Sequence, residues 1–287
     1  MADSSPPTTA WVLAGGGSFG AIQVGMLQAL VAHGLRPDLV VGSSVGAING
    51  AYFAGAPDTD GLRRLAALWC GLRRNVVFPI AWRNLLARSG SGGFAVDPSG
   101  LGGLLEQCLP YRLLEQARVP VHVVATDQLG GGTVALSHGP AVAAVLASCA
   151  IPAVFPPVRI DEHFLIDGAI ASNTPISVAV GLGARRVIVL PTGFACALQT
   201  PPRSAIANAL HAITLLIAHQ LADEFEHYRT QAEIIVVPPL CPLSASPYDF
   251  SQAAALIERT TAQTRRWLES GGLQRSQLAP ALLAHGH

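Results

Sequence analysis

Three short segments carry side chains or amides that could do chemistry together. Ser44 sits in Gly42-Ser43-Ser44-Val45-Gly46, a G-x-S-x-G pentapeptide. Asp167 heads Asp167-Gly168-Ala169, and an earlier run reads Gly15-Gly16-Gly17-Ser18-Phe19-Gly20. A serine hydroxyl becomes a useful nucleophile only beside a base. A carboxylate can be that base if burial raises its pKa, first toward the hydroxyl and then toward water. Consecutive amides of Gly15, Gly16, Gly17 and Ser18, with little side chain in the way, suit a developing oxyanion. The chemistry these types suggest is acyl transfer through Ser44, with Asp167 as base.

The elements around the segments must bring them together. Trp11-Val12-Leu13-Ala14 reads as a buried strand, and the glycine run leads from it into a helix with Phe19, Ile22, Met26 and Leu30 at helical spacing. Pro37 opens a second strand, Leu39-Val40-Val41, which delivers Ser44 to the small-residue helix that follows. Strand, G-x-S-x-G and helix form the context of a nucleophile elbow, with Gly42 and Gly46 permitting the sharp turn. The βαβ order implies a parallel pair with a right-handed crossover. Parallel strands open their C-terminal ends on one edge, where ligands bind, and Asp167 at the end of Phe164-Leu165-Ile166 is expected on that edge too. A dinucleotide site is the rival reading of a glycine-rich turn. It predicts an acidic residue at the end of the second strand. Here Asp38 precedes that strand and its end holds Gly42-Ser43-Ser44, so that reading loses.

Further strands are expected at Val119–Ala125, Arg186–Leu190 and Glu233–Val237. Helices are expected at Pro140–Ala150, Pro175–Gly183, about Ser204–Arg229 and Phe250–Leu268. The predicted fold is α/β, a mostly parallel central sheet with helices on both faces. Residues 1–10 read as a disordered lead and 11–270 as one catalytic domain. Within it, about 58–120 form a cap or lid-like insertion, and 271–287 form a tail.

Composition narrows the function. The 287 residues are half hydrophobic, enough for one large core, and 18 basic residues balance 18 acidic ones. That balance does not point to nucleic acid. All the basic residues are arginine, which excludes a P-loop, a Schiff-base enzyme and a serine–lysine dyad. Five scattered cysteines without C-x-x-C argue against a disulfide framework or zinc knuckle. The N-terminus lacks the pattern of a signal peptide, and the longest apolar helical stretch is short for a bilayer, so a cytoplasmic protein is expected. Neither a metal nor a cofactor is expected. His219, Asp223 and His227 stand at i, i+4 and i+8, which reads first as a solvated helix face rather than a metal stripe. Ile80, Trp82, Leu85 and Leu86, mixed with Arg83 and Arg88, are candidates for peripheral membrane contact or for packing a cap. The sequence leaves the oligomeric state open.

These segments in this order resemble the patatin-like phospholipases, over most of the chain from Trp11 to about Gly193. The glycine run continues as Gly20-Ala21-Ile22-Gln23-Val24-Gly25-Met26-Leu27, like the family's first motif. Gly42–Gly46 matches its elbow, and Ser148-Cys149-Ala150-Ile151-Pro152 with Phe155-Pro156-Pro157-Val158 resembles the segment before its aspartate. Asp167-Gly168-Ala169 with Asn173 and Pro175 matches its Asp-Gly motif. The resemblance implies a patatin-like three-layer fold, a Ser44–Asp167 dyad without histidine or metal, and cleavage of phospholipid, lysophospholipid or neutral acyl esters. One departure stands out: Phe19 occupies a position where the family usually has Arg or Lys. Three alternatives remain: a histidine-triad hydrolase, a lipid transacylase using the same dyad, and a weakly catalytic or non-catalytic lipid-binding protein. Only one strand precedes the elbow, which argues against the first.

Overall fold

In the computed structural model the described residues are 8–73, 98–193, 208, 212, 220–243 and 249–275. Five parallel strands form the centre: β1 (Thr9–Leu13), β2 (Leu39–Ser43), β3 (Val121–Asp127), β7 (Arg186–Leu190) and β8 (Glu233–Val236), in the order β3-β2-β1-β7-β8. Three short strands extend the sheet beyond β3: β4 (Thr133–Leu136), β5 (Val158–Ile160) and β6 (His163–Asp167), each antiparallel to its neighbour.

The central strands are apolar along their length because both faces are covered. Trp11 and Leu13 of β1 point into one core and Ala10 and Val12 into the other, the period-two alternation of a pleated strand. On the first face lie α1 (Gly20–Ala32), α2 (Val45–Gly55), α3 (Thr59–Gly71), α5 (Ala141–Ser148) and α8 (Ala253–Glu269). On the second face lie α7 (Ile176–Gly181) and the helical residues 220–228, through Leu221 and Phe225. The remaining helices are α4 (Ser99–Cys108), beside α5, and the single turn α6 (Ala169–Ser172) after Asp167.

Helix α1 is buried nearly all round because α8 covers the side that the sheet and α3 leave open. Helix α3 is amphipathic: Leu62, Leu65 and Trp69 enter the core while Arg63 and Arg64 stay in solvent. Its start is fixed by Asp58, whose carboxylate accepts the Gly61 N–H at 2.7 Å.

The sequence-based reading placed Asp167 on the strand-end edge of a parallel sheet. The structure reaches that place differently, because β6 runs antiparallel to β3. Strand β3 extends three residues beyond β2. Val124 pairs with Ser43, the last residue of β2, and the next residue, Ala125, pairs with Asp167. The other edge of β3 is taken by β4, so β2 and β6 share one edge in succession. The end of β6 therefore abuts the end of β2. The segment 80–88, His211 and His219 lie outside the described residues.

Candidate active site

Ser44 is the N-cap of α2 and adopts φ 53°, ψ −124°, a backbone conformation that non-glycine residues seldom adopt. The turn must be tight because α2 starts directly against β1. A Cβ on Gly46 would collide with the Leu13 carbonyl oxygen, so only glycine lets α2 pack there. The conformation is held from outside the motif. Ser148, at the end of α5, accepts the Ser44 N–H on its hydroxyl oxygen at 2.8 Å and donates its own proton to the Val124 carbonyl at 2.5 Å. The elbow is thus tied to β3 through one buried side chain.

The Ser44 hydroxyl donates to Asp167 Oδ2 at 2.8 Å, and the Ala169 N–H donates to Asp167 Oδ1 at 2.9 Å. The backbone of Asp167 is fixed as well. Its N–H donates to the Ala150 carbonyl, and its carbonyl accepts the Thr126 hydroxyl at 2.9 Å. Asp167 is 4% exposed and Ser44 9%. Burial pushes the Asp167 carboxyl up from the ordinary 3.8 to about 6, against the pull of the Ala169 amide and the Ser44 hydroxyl. The result is a carboxylate that is ionised at neutral pH yet basic enough to receive a proton. No histidine among the described residues hydrogen-bonds to either side chain.

The glycine run lies across from this pair. Gly15 touches the site: a Cβ there would stand 3.2 Å from Ser44 Cβ. The expectation that the Gly15 amide serves an oxyanion is corrected, because that N–H already donates to the Asn173 carbonyl at 3.1 Å. Its carbonyl accepts the Thr192 hydroxyl at 2.7 Å, so Gly15 anchors the loop. Gly16, at φ 153°, then turns the chain, and a side chain there would strike Thr192. The Gly16 and Gly17 amides donate no hydrogen bond among the described residues. Val45 and Gly46 open α2 and have no carbonyl one turn earlier to bond. Gly17, Ser44 and Val45 border the same cavity, and the positive end of α2 begins at Ser44. Gly20 and Gly42 serve packing: a Cβ on Gly20 would meet Val45, and one on Gly42 would meet the Gly46 backbone. Gly168 passes against the Val124 carbonyl, which lets Ala169 present its amide to Asp167.

A buried polar chain that the sequence reading did not single out fixes loop and elbow to each other. Gln23 of α1 donates to the Ala14 and Leu190 carbonyls at 2.7 and 2.9 Å. Asn49 of α2 donates to Gln23 Oε1 and to the Gly20 carbonyl, both at 2.9 Å. Asn49 in turn accepts the Trp69 indole N–H at 2.9 Å. Phe19 is 1% exposed and packs in the main core, so the position usually held by a cation in the resembled family contributes apolar packing here.

Beside Ser44 opens an apolar cavity, open to solvent at its rim and without a charged side chain in its lining. Gly17, Val45, Ile48, Trp69, Cys149 and Phe155 are among its lining residues. A hydroxyl hydrogen-bonded to a raised-pKa carboxylate, unpaired amides and an apolar cavity together suit attack on an ester whose acyl part is hydrocarbon. Among the described residues no group of His, Cys, Asp and Glu could hold a metal ion, and no helix is long and apolar enough to cross a membrane.

Ser148 gives a first test of this geometry. Ser148→Ala leaves the Ser44 amide and the Val124 carbonyl without their partner. The expected cost is about 1–3 kcal/mol of stability, read as a lower thermal midpoint, together with a roughly tenfold or larger drop in turnover. Unchanged midpoint and turnover would contradict the positioning role.

Comparison with known proteins gives a consistent set. A family model described as patatin-like phospholipase matches residues 11–180. The Caenorhabditis elegans patatin-like phospholipase domain-containing protein ZK370.4 is 30% identical over 184 residues, 63% of this chain and 13% of that protein. The rat patatin-like phospholipase domain-containing protein 7 is 30% identical over 186 residues, 64% of this chain and 13% of that protein. An uncharacterized NTE family protein of Mycobacterium tuberculosis is 31% identical over 189 residues, 65% of this chain and 49% of that protein. The chain therefore spans half or less of the length of these relatives. Among solved structures, VipD from Legionella pneumophila aligns with a TM-score of 0.47 at 17% identity, over 93% of this chain and 68% of that one.

Proposed function

The chain belongs to the patatin-like phospholipase family, and from that premise we propose that it hydrolyses carboxylic esters of lipids through an acyl-enzyme on Ser44. The observation that carries the reading is the Ser44 Oγ–Asp167 Oδ2 hydrogen bond of 2.8 Å, with Ser44 in the lining of an apolar cavity. Asp167 takes the Ser44 proton as the oxygen attacks the ester carbonyl. The oxyanion settles among the amides of Gly16, Gly17, Val45 and Gly46. The proton then passes from Asp167 to the leaving alcohol, which departs and leaves the acyl group on Ser44. Water enters, gives its proton to Asp167 and attacks the acyl carbonyl; collapse of that second oxyanion returns the proton to Ser44 and releases the fatty acid.

Two features shape the expected substrates. The uncharged lining favours hydrocarbon acyl groups. With Phe19 in the core, no cation reaches the glycine loop from that position, which favours neutral acyl esters over anionic phospholipids. The test is fatty-acid release from a panel of short esters, neutral glycerides, lysophospholipids and anionic phospholipids. Faster turnover of the neutral members is expected. Equal turnover across headgroups contradicts the preference, and no release from any member contradicts the activity.

A histidine scan separates this dyad from a histidine triad. Alanine at His163, His211, His219 and His227 in turn is expected to leave ester turnover within about twofold, because the carboxylate itself is the base. A single histidine whose loss removes turnover by about 10²-fold or more, in a protein that still folds, would overturn the dyad.

A further inference from the structure

Past Asp167 the chain makes a tight passage. The single turn α6 ends at Ser172, residues 173–175 leave the helical path, and α7 begins at Ile176. The middle of this passage touches the glycine loop, where the Asn173 carbonyl accepts the Gly15 N–H at 3.1 Å. The approach is close because Gly15 has no side chain. A Cβ there would stand 2.5 Å from Asn173 Oδ1 and 3.2 Å from Ser44 Cβ. The Asn173 turn therefore sets where the loop stands relative to the nucleophile.

One helix grips that turn. Leu221 and Phe225 seat the helical residues 220–228 on the second face of the sheet. Gln220 and Glu224, also four apart, share a neighbouring face. Gln220 Oε1 accepts the Asn173 N–H at 3.1 Å, an amide that would otherwise continue α6. Glu224 accepts the Ser177 N–H at 2.8 Å and the Ser177 hydroxyl at 3.0 Å. That amide belongs to the first turn of α7 and has no carbonyl within its own helix, so the carboxylate both satisfies it and suits the positive helix end. Burial pushes the Glu224 carboxyl up from its usual range, against the hydrogen bonds from Ser177, so the group is drawn out of water to make them.

We propose that Gln220 and Glu224 are positioning residues for ester hydrolysis: acting through the Asn173 turn, they hold the glycine loop where the Gly16 and Gly17 amides meet the oxyanion. This rests on the reaction proposed above and goes beyond it by assigning the placement of the loop to a helix on the second face of the sheet. Neither side chain lines the cavity beside Ser44, so their loss should not alter how an acyl chain binds there. When the clamp is removed, the Thr192 hydroxyl still holds the Gly15 carbonyl at 2.7 Å, so the loop is displaced rather than released. A displacement of about 1 Å can cost about 10²-fold in rate.

The experiment compares the protein with Gln220→Met and Glu224→Met, which remove the acceptors, and with Glu224→Gln, which keeps one for the Ser177 N–H. Both side chains are half-buried, and methionine of similar volume lets the fold stand. The probes are two ketones with the same alkyl chain. On the trifluoromethyl ketone, Ser44 Oγ bonds to the carbonyl carbon, its proton passes to Asp167, and the carbonyl electron pair becomes an oxyanion at the loop. The methyl ketone occupies the cavity without adding Ser44. In both methionine variants, inhibition by the trifluoromethyl ketone and kcat on esters are each expected to weaken about tenfold or more. Methyl ketone binding should stay within about twofold, and Glu224→Gln within about twofold of the parent throughout. Equal weakening of both ketones, weakening of neither, an effect in only one methionine variant, or no rescue by glutamine overturns the proposal. A parent that hydrolyses no ester and takes no trifluoromethyl ketone contradicts the proposed function instead, and deuterium exchange of the Gly15 amide then decides the clamp. Exchange about tenfold faster in both methionine variants is expected, and unchanged exchange overturns the proposal.

Discussion

Asp167→Asn is expected to give a protein that is nearly inactive and more heat-stable at neutral pH. Asparagine keeps the shape of the site. Its carbonyl oxygen can still accept the Ala169 N–H, and its amide group can face Ser44 Oγ. What it lacks is a basic oxygen, so turnover should fall by about 10²–10⁴-fold. Stability moves the other way. The folded carboxyl, near 6, holds its proton more tightly than the unfolded one, near 3.8. The stability from that difference is therefore fully present below about pH 3.8 and is lost as pH rises through about 6. Above that range the buried charge costs of the order of 2–3 kcal/mol, which the neutral asparagine avoids. The thermal midpoint of Asp167→Asn should exceed that of the parent at pH 8 and approach it near pH 4. The same pKa places the acid limb of kcat/KM near pH 6, with activity rising as Asp167 loses its proton. A limb that stays in place in a variant retaining activity without this carboxylate would assign the base elsewhere.

Ser44→Ala is the second large effect. Removing the nucleophile should lower turnover by at least about 10⁴-fold, because the remaining amides and cavity can still bind an ester but have no oxygen to acylate. Stability should change little, since alanine inherits the same strained φ of 53° and only one side-chain hydrogen bond is lost. Ser44→Gly, equally inactive, should be more stable than Ser44→Ala by about 1 kcal/mol, because glycine occupies that backbone region without strain. The pair separates the hydroxyl's chemistry from the cost of holding it. Residual turnover near the parent rate in either variant would remove Ser44 from the mechanism.

How much of this was legible in the sequence differs by element. The buried parallel strands were, since β1, β2 and β7 are uninterrupted apolar runs and need no partner to be recognised. Strands β4 and β5 were not, because they are three or four residues long and half-exposed, and alternate too briefly to register. That β6 is antiparallel, yet still ends beside Ser44, follows from β3 overrunning β2 by three residues. Only the pairing register reveals that. Ser44, Asp167 and the glycine run could be read because their residue types are costly anywhere else. Ser148 could not, since it looks like the polar end of an alanine-rich helix and its partner lies 104 residues away. Gln23 and Asn49 did leave a signal: each is a lone amide in an otherwise apolar helix, and a buried amide must find partners. Gly15 kept its place beside Ser44 but changed its job, because the carbonyl that claims its amide comes from Asn173, on a distant turn.

The most direct test is mass spectrometry of the intact protein and its peptides after exposure to an alkyl fluorophosphonate. Ser44, activated by Asp167, should displace fluoride and carry a single adduct, found on the peptide containing Gly42–Gly46. Labelling should be absent in Ser44→Ala and slowed by about 10²-fold or more in Asp167→Asn. An adduct on another residue, or equal labelling rates in the parent and Asp167→Asn, would contradict the dyad.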